Sequence, residues 1–251
     1  MDQMNYALIF ASGVGSRMRS TVGPKQFLEV KGKPLLVYTL ERFQTHKQID
    51  GIYLVVRKSK EVLAKSLIEE FSLSKVQHIV TDDDEGELSA HASILNGIME
   101  MKLHGVQDDD VVLIHDGVRP ILDEGSIAKC IATAKKMGNA ITCMPAQETI
   151  AYKEGDDRIG EVTHRDNMII LQAPQAFQFK DAYDVNVKSL EDGIVGSVVD
   201  QAELHRHYGN ELYTIEGLKG NVKITVPLDF TYFEFLVESK KYYHIIKGET
   251  V

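Results

Sequence analysis

Two short segments of the chain hold cations, glycines and an acid at spacings suited to phosphate chemistry. The first is Ala11-Ser12-Gly13-Val14-Gly15-Ser16-Arg17-Met18, which follows an apolar run from Tyr6. Glycine at 13 and 15 lets backbone N–H groups approach an anion closely, and Arg17 adds a fixed positive charge. Met18 stands where a third glycine would complete a dinucleotide fingerprint, and no Gly-Lys-Ser/Thr follows, so a dinucleotide loop and a Walker loop are both excluded. Glycines alone would be plain strand punctuation. Arg17 and Lys25, eight positions apart, change the weighing, because two cations across one loop suit a triphosphate whose charge must be neutralised during transfer.

The second segment is His115-Asp116-Gly117-Val118-Arg119-Pro120, directly after another apolar run. An aspartate at a strand end can hold Mg²⁺, which takes one or two carboxylates and completes its shell with phosphate oxygens and water. The plainer alternative is a turn in which Arg119 pairs with Asp116. Thr149, Arg165 and Lys223 are further polar candidates at strand or loop positions. Lys223 alternates with Val222 and Ile224, a pattern that by itself describes a solvent-facing lysine. His205 and His207 stand at i,i+2 on a helix, the wrong spacing for a shared metal. The acidic stretches Asp82–Glu85 and Asp108–Asp110 read as solvated loops, and no metalloprotease, serine-elbow or Cys-His pattern occurs.

Strands and helices must alternate to position these segments. Apolar runs beginning at Asn5, Gly51, Val76, Asp110 and Ala140 read as strands. Helical periodicity follows Pro34 and recurs over 61–71, 88–104, 126–137, 180–190, 199–207 and 227–240. Two further strands are expected at 212–216 and 222–225. The alternation predicts an α/β fold with a doubly wound, mainly parallel sheet covered on both faces. Ligands of such sheets sit at the C-terminal strand ends, where the glycine loop and the His115–Arg119 turn would meet. Between Pro145 and Met168 the pattern changes to two short strands around a polar turn. That stretch is too poor in apolar residues for a core of its own, so it should project and pack on something else, such as a second subunit.

Composition bounds the function. With 251 residues, 43% hydrophobic and 26% charged, the chain can bury a substantial core, which excludes disorder as its main state. Its 28 basic and 37 acidic residues give a net charge of −9, which argues against broad nucleic-acid or anionic-membrane binding but leaves room for a local basic pocket. No apolar run is long enough to span a bilayer, and the first residues lack the basic start and cleavage site of a signal peptide. Cys130 and Cys143 are too few for a disulfide framework or a thiolate metal site, so a reducing, cytoplasmic setting is expected.

Six segments together carry a resemblance to a known family: ALIFASGVGSRM, GPKQFLEVKGKPLLVYTLERF, VVLIHDGVRP, HRDNM, QAPQAF and GNVKITVPLDF. In this order they resemble the cytidylyltransferases of 2-C-methyl-D-erythritol 4-phosphate and of ribitol 5-phosphate. The spacing of Arg17 and Lys25, His-Asp-x-Val-Arg-Pro and Arg-Asp-Asn-Met look closer to the ribitol branch. The resemblance implies one Rossmann-like nucleotidyltransferase domain over 1–251, with 145–168 a projecting β-arm used in homodimerisation. It implies CTP and a small phosphorylated acceptor as substrates, with Mg²⁺ as cofactor. The acceptor's phosphate would attack the α-phosphorus of CTP and expel pyrophosphate.

By the same resemblance Arg17, Lys25 and Lys223 are the catalytic cations. Ala11, Ser12, Gly13, Gly15, Gly86, Ser93 and Asp116 match nucleotide-binding positions, and Asp116 also the one associated with the metal. Thr149, Arg165 and Asp200 match acceptor-binding positions, as does Lys223, with Arg165 supplied across the dimer. Ribitol 5-phosphate is the acceptor favoured; methylerythritol phosphate, another phosphorylated surface-polysaccharide precursor, or CTP binding without turnover are the alternatives. The chain departs from the family pattern at Ser12, Glu87, Ala90, Ala173 and Val199, where Ala/Gly, Gly, Arg, Thr and Thr are usual.

Overall fold

A computed structural model describes residues 3–13, 23–85 and 89–249. Of the residues singled out above, Gly15, Arg17, Gly86 and Glu87 lie outside them. The elements in chain order are β1 (Asn5–Phe10), the short hairpin β2 (Glu29–Val30) and β3 (Lys33–Pro34), α1 (Leu35–Gln44), β4 (Gly51–Arg57), α2 (Glu61–Glu70), β5 (Val76–Asp82), α3 (Ala90–Leu103), β6 (Val111–Asp116), α4 (Glu124–Met137) and β7 (Asn139–Pro145). The ribbon β8 (Ile150–Glu154) and β9 (Arg158–Thr163) follows. Then come β10 (Ile169–Gln178), α5 (Phe179–Glu191), α6 (Gln201–His207), β11 (Thr214–Glu216), α7 (Pro227–Glu238) and α8 (Lys241–Ile245).

Seven strands form the main sheet in the order β11-β7-β10-β6-β1-β4-β5. Every neighbouring pair is parallel except those made by β10, which runs antiparallel to both β6 and β7. The central strands β1, β4 and β6 are almost wholly buried because both faces of the sheet are covered. Ala7 and Ile9 of β1 face α1, α2 and α4, whereas Leu8 between them faces α3, α5 and α6. A third cluster packs α7 and α8 under the turn after β6, joining Val118, Ile121 and Ile224 to Phe233 and Tyr242. Its rings meet edge-on, with Tyr38–Phe233 centroids 5.1 Å apart and Tyr38–Tyr242 centroids 5.5 Å apart.

The structure corrects several expectations. Residues 222–225 form no strand; the segment has no regular structure, and Ile224 N–H donates to Val118 O at 2.9 Å. Strand β10 was not expected, since Pro174 and two glutamines interrupt its apolar pattern. The ladder to β7 slips between Leu171 and Gln175, which is where a residue without an N–H can sit. Asp82 and Asp110 are buried rather than solvated. Asp82 accepts from Ser93 Oγ at 2.6 Å and Asn96 Nδ2 at 2.9 Å, and Asp110 from the N–H groups of Met4 and Gln107, both at 2.8 Å. Helix α8 was also unexpected. The ribbon β8–β9 is a separate two-stranded sheet, as the 145–168 stretch suggested.

Candidate active site

Strands β1 and β6 are parallel neighbours in register Phe10↔Asp116, so the glycine loop and the His115–Arg119 turn emerge side by side. Gly117 makes the approach possible. Its N–H donates to Phe10 O at 2.9 Å, and a Cβ there would lie 2.9 Å from Ala11 Cβ and 3.2 Å from Phe10 O. The start of the glycine loop is held by its carbonyls. Gln26 Nε2 donates to Ala11 O at 2.6 Å and to Gly13 O at 3.0 Å, while Arg57 Nε donates to Ser12 O at 2.9 Å. Engaging three successive carbonyls removes acceptors that would repel an anion. Lys25, beside Gln26 in the 3-10 turn Lys25–Phe27, is buried.

At the end of β6, Asp116 is buried and ion-paired on both oxygens. Arg119 Nε lies 2.8 Å from Oδ2, and Lys223 Nζ meets Oδ1. Burial alone would raise the carboxyl's pKa, but the charges of Lys223 and then Arg119, with their hydrogen bonds, outweigh it and hold the group ionised well below the usual carboxylate range. Arg119 Nη1 also donates to Asn221 O at 2.9 Å, fastening the turn to the segment that carries Lys223. His115 is fully buried, its pKa pushed down to about 4 chiefly by burial, so its ring is neutral near pH 7. Nε2 stands 3.0 Å from Arg119 O; a carbonyl only accepts, so Nε2 carries the proton and clamps the turn.

These groups border a cavity of ≈ 310 Å³. Asp116, Arg119 and Lys223 supply its charged wall, and Phe10, Ile94 and Ile114 an apolar one. Its far rim comes from β10 and α6. There Asp200 caps α6, accepting from Glu203 N–H at 2.9 Å and from Gln175 Nε2 at 2.8 Å, while Gln175 Oε1 accepts from Ala202 N–H at 3.0 Å. A concave site with a buried carboxylate and two convergent cations fits a small, phosphorylated ligand.

The model of the family described as IspD, 2-C-methyl-D-erythritol 4-phosphate cytidylyltransferase, matches residues 5–239. The chain belongs to this family of cytidylyltransferases. A ribitol-5-phosphate cytidylyltransferase of Streptococcus agalactiae serotype III is 38% identical, the match covering 95% of this chain and 97% of that protein. A 2-C-methyl-D-erythritol 4-phosphate cytidylyltransferase of Clostridium novyi is 33% identical over 94% of this chain and 98% of that one. Among solved structures, a 4-diphosphocytidyl-2C-methyl-D-erythritol synthase from Anaerococcus prevotii superposes with a TM-score of 0.76 at 27% identity, covering 94% of this chain and 96% of that chain.

Seen as a member of this family, the chain gathers only part of the residues named from sequence. Asp116, Lys223 and Asp200 border one cavity, together with Ala90 and Val199, two of the positions where the family pattern is broken. Ala11, Ser12, Gly13 and Lys25 lie on the adjoining loop. Ser93 is buried and its hydroxyl is given to Asp82. Thr149 and Arg165 are exposed at the ribbon, outside the residues lining the cavity; Arg165 Nη1 donates to Gln147 O at 3.3 Å. Among the described residues no three His, Cys, Asp or Glu side chains cluster as a ready-made metal site. Sequence reasoning passed over Gln26, Arg57, Gln175 and Asn221. Polar residues flanking the motifs were the available signal, but their bonds run to backbone groups that only folding brings near.

Proposed function

We propose that this enzyme transfers CMP from CTP to ribitol 5-phosphate, releasing pyrophosphate and forming CDP-ribitol. The observation that carries the reading is the buried Asp116, kept ionised between Arg119 and Lys223 beside the glycine loop. The choice of ribitol 5-phosphate is supported by relatives of that name at 35–38% identity, against 32–34% for those named for methylerythritol phosphate. It is also supported by the spacing of Arg17 and Lys25 and by the His-Asp-x-Val-Arg-Pro motif.

In the reaction a phosphate oxygen of the acceptor forms a bond to the α-phosphorus of CTP, the bond from that phosphorus to the bridging oxygen breaks, and pyrophosphate leaves. Arg17, Lys25 and Lys223 oppose the charge that grows on the phosphoryl oxygens, and Thr149, Arg165 and Asp200 hold the acceptor. Asp116 suits Mg²⁺ as a single carboxylate at a cavity wall, because each of its oxygens keeps acceptor capacity after one ion pair. The ion would share the triphosphate's charge with the protein cations. The ribbon exposes Tyr152, Ile159 and Val162, with Ile169 and Ile170 beyond it, a surface suited to a second copy of the chain and to delivery of Arg165 across a homodimer. A cytoplasmic setting is supported by two buried cysteines left as free thiols. No described helix is long and apolar enough to cross a membrane.

The test is pyrophosphate release from CTP and Mg²⁺ with ribitol 5-phosphate, methylerythritol phosphate and glycerol 3-phosphate offered separately. Release with ribitol 5-phosphate at the highest kcat/KM is expected. A preference for either other acceptor, or silence with all three, would overturn the assignment.

A further inference from the structure

His91 takes no part in the cation–carboxylate cluster, yet it is buried between two elements that wall the cavity. It sits in the first turn of α3, next to the cavity-lining Ala90, and is 1% exposed. Its Nδ1 lies 3.3 Å from Gly196 N and its Nε2 3.0 Å from Ser189 Oγ. A backbone N–H only donates, so Nδ1 must be bare and the ring's single proton lies on Nε2. That proton points at Ser189, whose hydroxyl donates to Asn186 O at 2.7 Å. The ring is neutral in this arrangement, and burial shifts its pKa downward. Asn186 in turn pairs with Gln201 at the start of α6, Nδ2 to Oε1 at 2.8 Å.

Both ends of this network matter for the rim. Val199, Asp200 and Gln201 line the cavity and follow directly from the loop 192–199. That loop is largely exposed and buries little apolar surface of its own. Ile194 N–H goes to Ser189 O in α5, Ser197 N–H goes to Ile194 O, and Val199 N–H goes to Glu203 Oε2 in α6. Among the described residues, the bond from Gly196 to His91 links this loop to α3. Gly196 has φ +89, and a Cβ there would stand 3.2 Å from Ser89 Oγ, so the loop already presses on the start of α3. Helix α5, by contrast, is anchored independently through buried Phe179, Ala182 and Val185.

We infer that His91 is a positioning residue for the acceptor-side rim: by accepting the Gly196 N–H it sets Val199–Gln201 against α3. The inference rests on the reading of Asp200, on this rim, as an acceptor-binding residue. His91→Asn and His91→Gln separate the two bonds, because an asparagine oxygen falls near the place of Nδ1, while a glutamine amide reaches toward that of Nε2. His91→Gln should raise KM for ribitol 5-phosphate about tenfold. KM for CTP and kcat should stay within about twofold, and His91→Asn should restore the acceptor KM. Hydrogen exchange of the 192–200 segment, measured in all three proteins without substrate, should quicken in His91→Gln only. If both KM values rise together, or if the two variants behave alike, the inference is overturned. If the wild-type enzyme turns over none of the acceptors, the functional assignment fails, and the exchange pattern alone decides whether His91 holds the rim.

Discussion

Lys223 forms an ion pair with Asp116 although one lies on the irregular segment before α7 and the other at the end of β6. The pair exists because α7 and α8 pin that segment beneath the turn. Ile224 is fully buried against Phe233 and Tyr242 and its N–H donates to Val118 O, while its neighbours Lys223 and Thr225 line the cavity. Burying groups of this size contributes about 1.5–3 kcal/mol each, enough to hold a short strandless segment in place.

Lys223→Ala removes a cation opposed to the developing charge while Asp116 keeps Arg119. Turnover should fall by about 10²-fold or more, with a modest drop in melting temperature, because the buried Asp116 loses the larger of its two charge partners but keeps Arg119. Steady-state kinetics beside a thermal melt checks this. Turnover within threefold of wild type would remove Lys223 from the chemistry.

Asp116 has its folded pKa depressed, by Lys223 and then Arg119 against the opposing effect of burial. Its stabilisation is therefore present above the unfolded carboxylate value near 4 and is lost as pH falls below it. Asp116→Asn lacks this dependence and leaves two cations facing a neutral amide, at a cost of about 3 kcal/mol near neutral pH. Urea unfolding of both proteins at pH 7 and pH 3 should show the gap narrowing in acid; a constant gap would contradict the ion-pair account.

Buried imidazoles, His115 and His205 foremost, set a second, milder response to acid. Burial pushes the pKa of His115 down to about 4 and that of His205 to about 3, so in each case the unfolded chain binds the proton first. Their contribution is complete above about pH 6.5 and declines as pH drops through 6.5 toward the folded values, by about 2 kcal/mol each between pH 7.5 and 5. His205→Phe preserves stacking on Phe177, whose ring lies 4.0 Å away, and removes one of these titrations. Its unfolding free energy should fall less over that interval than the wild type's, and an equal fall would sink the assignment.

If the ribbon delivers Arg165 to the partner's cavity, defects at Lys25 and Arg165 must complement. Lys25→Ala and Arg165→Ala should each be nearly inactive alone, since each homodimer lacks one group at both sites. Mixed and allowed to exchange, they should recover about a quarter of wild-type activity, from one intact site in each hybrid dimer. No recovery despite demonstrated exchange would place Arg165 in its own subunit's site or outside the reaction.

Gly117→Ala tests the contact between the two motifs. The new methyl would meet Ala11 Cβ at 2.9 Å and Phe10 O at 3.2 Å, neither of which is the end of a flexible side chain. Forcing strands β1 and β6 apart at their C-terminal ends should cost about 1–3 kcal/mol and lower kcat/KM for CTP. Unchanged stability would show that the strand ends yield more easily than their packing implies.

The order of most strands and helices and the two motifs proposed to handle phosphate could be read along the chain, because each depends on local periodicity and spacing. Glycines before a cation and a carboxylate at a strand end declare their chemistry within a few residues. The antiparallel β10 did not declare itself: its Pro174 and glutamines contradict strand propensity, and only pairing on both sides outweighs that. Lys223 read as an ordinary surface lysine, because its partner is set by how α7 and α8 pack rather than by its neighbours. Thr149 and Arg165 remain outside the cavity of a single chain, so their use depends on what covers the ribbon. The sequence by itself determined which groups the protein has for handling phosphates. Tertiary packing decided which of them meet, since burial and non-local hydrogen bonds, unlike periodicity, have no signature along a single strand or helix.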